Sequence, residues 1–202
     1  FCDQDDVWLP EKTTVLLDAL RVIEGGGAPC IAHSDMRVVD ENLSEIAPSF
    51  WERLNLNPTS ATAKTLLMYN VVTGCAMMGN ASLRDAITPI PETVIMHDWW
   101  AAAVAALKGK IVSVAQPTLL YRRHSANVTG LAEQTGFWHG LRELFKPGGS
   151  DVSKSRAHLA DLQGQARALA PIVGGGAAAE FGNLPTSGLL RRKTFLLRHG
   201  LI

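Results

Sequence analysis

Apolar residues recur at Val15, Leu16, Ala19, Leu20 and Ile23, the spacing of one helical face. Glu11 to Ile23 is therefore predicted to be a helix, with Pro10 suited to its first turn and Gly25-Gly26-Gly27 ending it. Ala28 to Ala32 reads as a short buried strand running into His33-Ser34-Asp35. Arg37 to Val39 extends it before the turn cluster Asp40-Glu41-Asn42. Ser49 to Leu54 is irregular or weakly helical, and Ser60 to Met68 is a better helix. Val71, Val72 and Thr73 are β-formers, interrupted by Gly74 and closed by the turn signal Gly79-Asn80. Ser82 to Ile87 makes a short helix. Pro89 and Pro91 hold an extended loop that delivers His97-Asp98-Trp99-Trp100 to the apolar helix Ala101 to Leu107, with Gly109 past its end. Ile111 to Ala115 and Thr118 to Arg122 read as two strands around Pro117. Beyond Gly130 the pattern turns helical and more polar, with Leu159, Leu162 and Ala166 on one face of Ser153 to Leu169. Two units follow: residues 1–130, where helices and strands alternate, and a helical extension over 131–202.

Composition narrows the class. The chain has 202 residues, 47% apolar and 19% charged, an ordinary globular mixture. Nineteen basic residues balance nineteen acidic ones, which argues against general nucleic-acid binding. The balance hides an asymmetry, with 10 basic and 14 acidic groups in residues 1–130 against 9 and 5 in residues 131–202. Cys2, Cys30 and Cys75 have unrelated spacings, so neither a disulfide framework nor a zinc site is implied, and a reducing cytoplasm fits. No run approaches eighteen uninterrupted apolar residues and no signal peptide is visible. The first residues read as the end of a buried strand, so the chain is expected to be a fragment with its upstream part missing.

Three carboxylates in four residues, Asp3-Gln4-Asp5-Asp6, either bind a divalent cation or form an acidic turn. Mg²⁺ and Mn²⁺ prefer carboxylate oxygens, take one or two from the protein, and complete their shell with phosphates and water. The precedent for Asp-x-Asp is thus a metal holding a substrate diphosphate. His33-Ser34-Asp35 invites a catalytic-triad reading, which fails because adjacent strand residues point to opposite faces.

Asp3-Gln4-Asp5-Asp6-Val7-Trp8, Asn70-Val71-Val72-Thr73-Gly74-Cys75, Met96-His97-Asp98-Trp99-Trp100 and Tyr121-Arg122-Arg123-His124-Ser125-Ala126-Asn127-Val128 resemble, in order and approximate spacing, the motifs of family 2 glycosyltransferases of the GT-A fold. The bacterial rhamnosyltransferase-like branch is the most similar. The resemblance covers about residues 1–130. It implies an α/β fold of GT-A type, a Rossmann-like mixed sheet flanked by helices, lacking its N-terminal nucleotide-binding unit and carrying the helical extension. It also implies an inverting, Mn²⁺- or Mg²⁺-dependent transfer from a nucleoside-diphosphate sugar to a glycan or lipid-linked acceptor.

The family's roles fall on matching positions. Asp3 would serve the donor, and Asp5 or Asp6 the metal, with His124 as a further ligand. Thr73-Gly74 matches a glycine loop facing donor and acceptor, where backbone approaches a ligand too closely for a Cβ. Asp98 matches the base that takes the acceptor's proton; His97 stands where the family usually has glutamate. Trp99 and Trp100 either line the acceptor side or fill the core, with core favoured for at least one. Arg122 or Arg123 would pair with the diphosphate. The basic, leucine-rich stretch 189–202 fits either an amphipathic helix on an anionic membrane surface or an ordinary packed helix; the first would place the protein at the inner face of the cell membrane. Two rivals remain. Asp3-Gln4-Asp5-Asp6-Val7 also resembles the Asp-x-Asp-x-Val pattern of haloacid-dehalogenase-like phosphatases, with Lys64 or Lys110 as the required lysine. The other rival is a non-catalytic, acceptor-binding remnant.

Overall fold

The computed structural model describes residues 2–66, 69–123 and, within 160–171, all but Leu162 and Gln165. These residues form an α/β structure built on one open, mixed, five-stranded sheet flanked by helices.

The chain enters through β1 (Val7–Trp8), then α1 (Lys12–Ile23), and reaches the central strand β2 (Cys30–Val39). Every residue of β2 except Arg37 is buried, as expected of a strand paired on both edges and covered on both faces. On one edge β2 pairs in parallel with β5 (Lys110–Arg122), which in turn pairs antiparallel with β1. On the other edge it pairs antiparallel with two short strands, β4 (Met77–Gly79) along its first half and β3 (Glu45–Ala47) at its end. The rest is helical: α2 (Phe50–Arg53), α3 (Ala63–Leu66), α4 (Ala81–Ile87) and α5 (His97–Lys108).

The two faces of β2 bury different partners. Cys30 and Ala32 pack against Leu16 and Leu20 of α1, while Ile31 faces the larger core around α5. In α5, all eight residues from Asp98 to Ala105 are buried. Trp100 is anchored there by its indole N–H, which donates to the Ile87 carbonyl at 3.2 Å; truncating such a residue to alanine costs about 3–5 kcal/mol. Ala166 and Leu169, from the 131–202 part of the chain, are buried in this same core.

Several expected elements take a different form. The strand read over Ala28 to Ala32 and extended by Arg37 to Val39 is one unbroken strand, Cys30–Val39. Asp35, a carboxylate that would ordinarily interrupt an apolar strand, is satisfied locally. Its Oδ1 accepts from the amides of Met36, Phe50 and Trp51 at 2.8, 3.1 and 3.2 Å, and its Oδ2 from the Ser49 hydroxyl at 2.5 Å. It thereby holds the start of α2. The two strands expected around Pro117 are one strand, in which register shifts between Ser34 and Arg37 of β2 absorb the proline that cannot donate to the ladder.

Val71, Val72 and Thr73 are not a strand, despite their propensity. The Asn70 side chain takes both main-chain groups of Val72, accepting from its amide at 2.9 Å and donating to its carbonyl at 2.7 Å. Those groups are then lost to any ladder. Among the described residues of 60–66 the helix is Ala63–Leu66, and Pro58–Ser60 forms a separate 3₁₀ turn.

Candidate functional site

A helix that feeds directly into a strand runs antiparallel to it, so its N-terminus lies over the strand's carboxyl half. Both α1 and α5 precede the parallel strands β2 and β5 in this way. The α5–β5 junction is a single residue, Gly109, where a Cβ would fall 1.7 Å from the Pro29 carbonyl oxygen. The N-termini of α1 and α5 consequently converge at the carboxyl ends of the parallel pair, where ligands bind in open α/β sheets. The acidic loop joins them there, because the Arg122 amide at the end of β5 donates to Asp6 Oδ1 at 3.2 Å.

Asp98 occupies the first turn of α5 and is only 5% exposed. Its Oδ2 accepts from the Gly74 amide at 2.9 Å; its Oδ1 accepts from the Trp99 amide at 2.6 Å and from Asn70 Nδ2 at 3.2 Å. Burial raises its pKa above the ordinary carboxylate value. The Gly74 amide, the charge of His97 and the Trp99 amide oppose that rise, and the charge of Asp3 adds to it. Gly74 is required for this arrangement, since a Cβ there would lie 3.0 Å from His97 Nε2, 3.2 Å from Asp98 Cβ and 3.3 Å from Asp98 Oδ2. The close approach expected of this glycine is thus to the His97-Asp98 pair.

The residue after Gly74 faces the acidic loop. One ligating atom each from Asp3, Asp6 and Cys75 lie within 4.8 Å of one another. Asp6 Oδ2 is buried without a hydrogen-bond partner among the described residues. Burial raises the pKa of Asp6; the Cys75 thiol and the Arg122 amide act against this, and Asp3 and Asp5 act with it. Burial also pushes the Cys75 thiol well above its usual range, helped by Asp6. Cys75 is therefore a protonated wall of the site, leaving Asp3 and Asp6 as carboxylates suited to a hard divalent cation.

Lys12, in the first turn of α1, completes the cluster. Its ammonium donates to the Cys75 carbonyl and lies 4.1 Å from the centre of the Trp8 ring. Burial lowers its pKa, while Cys75, Asp6, Cys2 and Asp3 oppose that. The short turn Gly74–Ala76 thus ties together the acidic loop, α1 and α5.

Of the residues expected from the sequence, Asp3, Asp6, Gly74, His97 and Asp98 meet here, with Thr73 leading into the turn. Asp6, not Asp5, gathers with Asp3. Arg122 reaches the loop through its main chain, and the Arg123 amide donates to the Val39 carbonyl at 2.8 Å. Both tryptophans are core residues: Trp99 is 6% and Trp100 2% exposed, and the Trp99 indole N–H is taken by the Leu66 carbonyl at 2.6 Å. Neither offers an acceptor platform. The large exposed aromatic beside the cluster is Trp8. His124 and residues 189–202 lie outside the described residues, as does the side chain of Lys64. Lys110 begins β5, about 40 Å of strand from Arg122, so among the described residues the lysine beside the cluster is Lys12. His33 lies against the Trp51 ring, Ser34 hydrogen-bonds the Thr118 hydroxyl, and Asp35 holds Ser49 and the amides that begin α2, an arrangement unlike the serial bonding of a triad.

Sequence reasoning passed over Lys12 and Asn70 as site residues. Lys12 carried a signal, since it precedes Leu16 and Leu20 on the same i, i+4, i+8 stripe, and all three are buried. Asn70 opened a quoted motif, but its link to Asp98 spans 28 residues and is visible only in the folded chain.

Compared with protein-family models, with curated proteins and with solved structures, the chain shows no match to any of the three. The fold and site define an α/β protein with a buried carboxylate beside an acidic pair. Among the described residues no helix is long and apolar enough to cross a membrane.

Proposed function

We propose that this chain carries the catalytic part of an inverting, metal-dependent glycosyltransferase of GT-A type. It would transfer a sugar, rhamnose being the one the resemblance suggests, from a nucleoside-diphosphate donor to a glycan or lipid-linked acceptor at the cytoplasmic face of the membrane. The observation that carries the reading is the pairing of Asp98 with the Asp3–Asp6 loop across a single turn. A carboxylate whose basicity is raised by burial, yet which is held rigidly by two main-chain amides and Asn70, has the properties of a general base. In the proposed step Asp98 accepts the proton of the acceptor hydroxyl as that oxygen bonds to the anomeric carbon. The bond from that carbon to the diphosphate breaks on the opposite side.

Asp3 and Asp6 would hold Mg²⁺ or Mn²⁺, and the approach of their ligating atoms within 4.8 Å of each other supports the fit. The ion, when bound, would supply charge neutralisation at the leaving diphosphate. Arg122, the last residue of β5, or Arg123 just after it, would add fixed positive charge.

The test is titration of the chain with nucleoside diphosphates with and without Mn²⁺, followed by sugar transfer with Asp98→Asn. Metal-dependent binding and a rate lowered by about 10²–10⁴ are expected. A wild-type rate in Asp98→Asn would refute the assignment of the base. Hydrolysis of a generic phosphomonoester, with no binding of nucleoside diphosphates, would favour the phosphatase reading instead.

A further inference from the structure

We infer that Lys12 is a positioning residue for Asp98, acting through the Gly74–Ala76 turn; this deepens, and rests on, the reading of Asp98 as the base. Lys12 is 2% exposed, so its ammonium does not meet a ligand from solvent. No salt bridge within 4.0 Å joins it to a described carboxylate. Burying an ammonium is costly unless its hydrogen bonds are made. An aliphatic residue would continue the Leu16–Leu20 stripe without that cost. Besides the longer-range attraction of Asp6 and Asp3, what the ammonium contributes is a directed bond to one main-chain carbonyl, that of Cys75, with the Trp8 ring closing over it.

That carbonyl belongs to the turn whose first amide holds Asp98. The turn is short and internally closed, with the Ala76 amide donating to the Thr73 carbonyl at 3.0 Å. It is gripped on one side by Lys12 of α1, at the Cys75 carbonyl, and on the other by Asp98 of α5, at the Gly74 amide. Both grips are charge-assisted hydrogen bonds, the stronger kind. Releasing one leaves the turn free to shift relative to Asp98. Misplacement of a catalytic group by a fraction of an ångström is enough to impair a transfer that depends on near-attack geometry.

The test uses the 202-residue chain with Lys12→Met, Lys12→Gln and Lys12→Arg. Methionine fills the stripe without charge or donor, glutamine keeps a neutral donor, and arginine keeps the cation. Amide hydrogen exchange at Gly74 and the Asp98 carboxyl carbon resonance are read by NMR. In Lys12→Met the Gly74 amide is expected to exchange at least about tenfold faster, in keeping with the loss of a charge-assisted bond, while the Leu16 and Leu20 amides keep their wild-type rates. The Asp98 resonance shifts with it. Lys12→Gln falls between wild type and Lys12→Met, and Lys12→Arg returns both readouts to near wild type. Unchanged Gly74 exchange in both neutral variants overturns the inference. So does equal acceleration at Gly74, Leu16 and Leu20, which would mark general destabilisation. Failure of both neutral variants to fold, with Lys12→Arg folded, likewise assigns Lys12 to overall stability and overturns it. None of these readouts requires turnover, so a wild-type transfer rate in Asp98→Asn would sink the base assignment while leaving the link from Lys12 to Asp98 standing or falling by NMR alone.

Discussion

Gly74→Ala perturbs the site at the point where three segments meet. The added Cβ falls 3.0 Å from His97 Nε2 and 3.2 Å from Asp98 Cβ, each a few tenths of an ångström inside ordinary contact. His97 is exposed and, though it has partners of its own, can turn its ring into solvent. Asp98 cannot, because it begins the run of eight buried residues that locks α5 into the core. The strain therefore falls on the 2.9 Å bond from the Gly74 amide to Asp98 Oδ2. Overpacking of this kind costs about 1–3 kcal/mol, offset by about 0.4–1 kcal/mol from the reduced freedom of the unfolded chain. A net loss of about 1–2 kcal/mol is expected, measured by urea unfolding followed by tryptophan fluorescence, with Trp99 beside Asp98 as a reporter. Lengthening the Gly74 bond also removes part of what restrains the Asp98 pKa, so that pKa rises further. Adding His97→Ala to Gly74→Ala relieves only the nearest contact and should recover less than half of the loss. A Gly74→Ala chain as stable as wild type, or full recovery in the double variant, would show that the turn does not pack against Asp98 as described.

Two further outcomes follow from the same structure. His33 is 1% exposed, and neither ring nitrogen has a hydrogen-bond partner among the described residues. Burial lowers its pKa from 6.5 to about 4, and the nearby Pro58 carbonyl opposes this weakly. The fold favours the neutral ring, so stability is intact above about pH 6.5 and is lost as pH falls. The loss is about 2 kcal/mol at pH 5 and about 3 kcal/mol below pH 4. In urea unfolding across pH 7.5 to 4.5, His33→Leu should flatten this slope, and an unchanged slope would clear His33 of the effect. Asp6→Asn and Asp3→Asn should each weaken Mn²⁺ binding by about tenfold or more, since each removes one carboxylate from a site with two. Free Mn²⁺ followed by electron paramagnetic resonance measures this, and wild-type affinity in both variants would place the ion elsewhere.

Much of the secondary structure was legible because it rests on local rules. The α1 stripe, the start of α4 at Asn80, whose side chain accepts from the Leu83 amide at 2.9 Å, and the halt of α5 at Gly109 all follow from residues within a turn or two. The misread stretches share a cause. Val71 to Thr73 have strand propensity, but a single asparagine competes for their backbone. Pro117 looks like a strand breaker, yet it falls where the register shifts.

The candidate site divides along the same line. Sequence alone singled out Asp3, Asp6, Gly74 and Asp98 as candidates, because carboxylates and a glycine in these motifs restrict what the positions can do. It could not decide which of them meet. That Asp6 rather than Asp5 joins Asp3, that Gly74 serves Asp98, that Trp99 and Trp100 belong to the core, and that Lys12 closes the cluster all depend on contacts spanning tens of residues. Only the packing of α1 and α5 over the carboxyl ends of β2 and β5 brings those groups within hydrogen-bond reach.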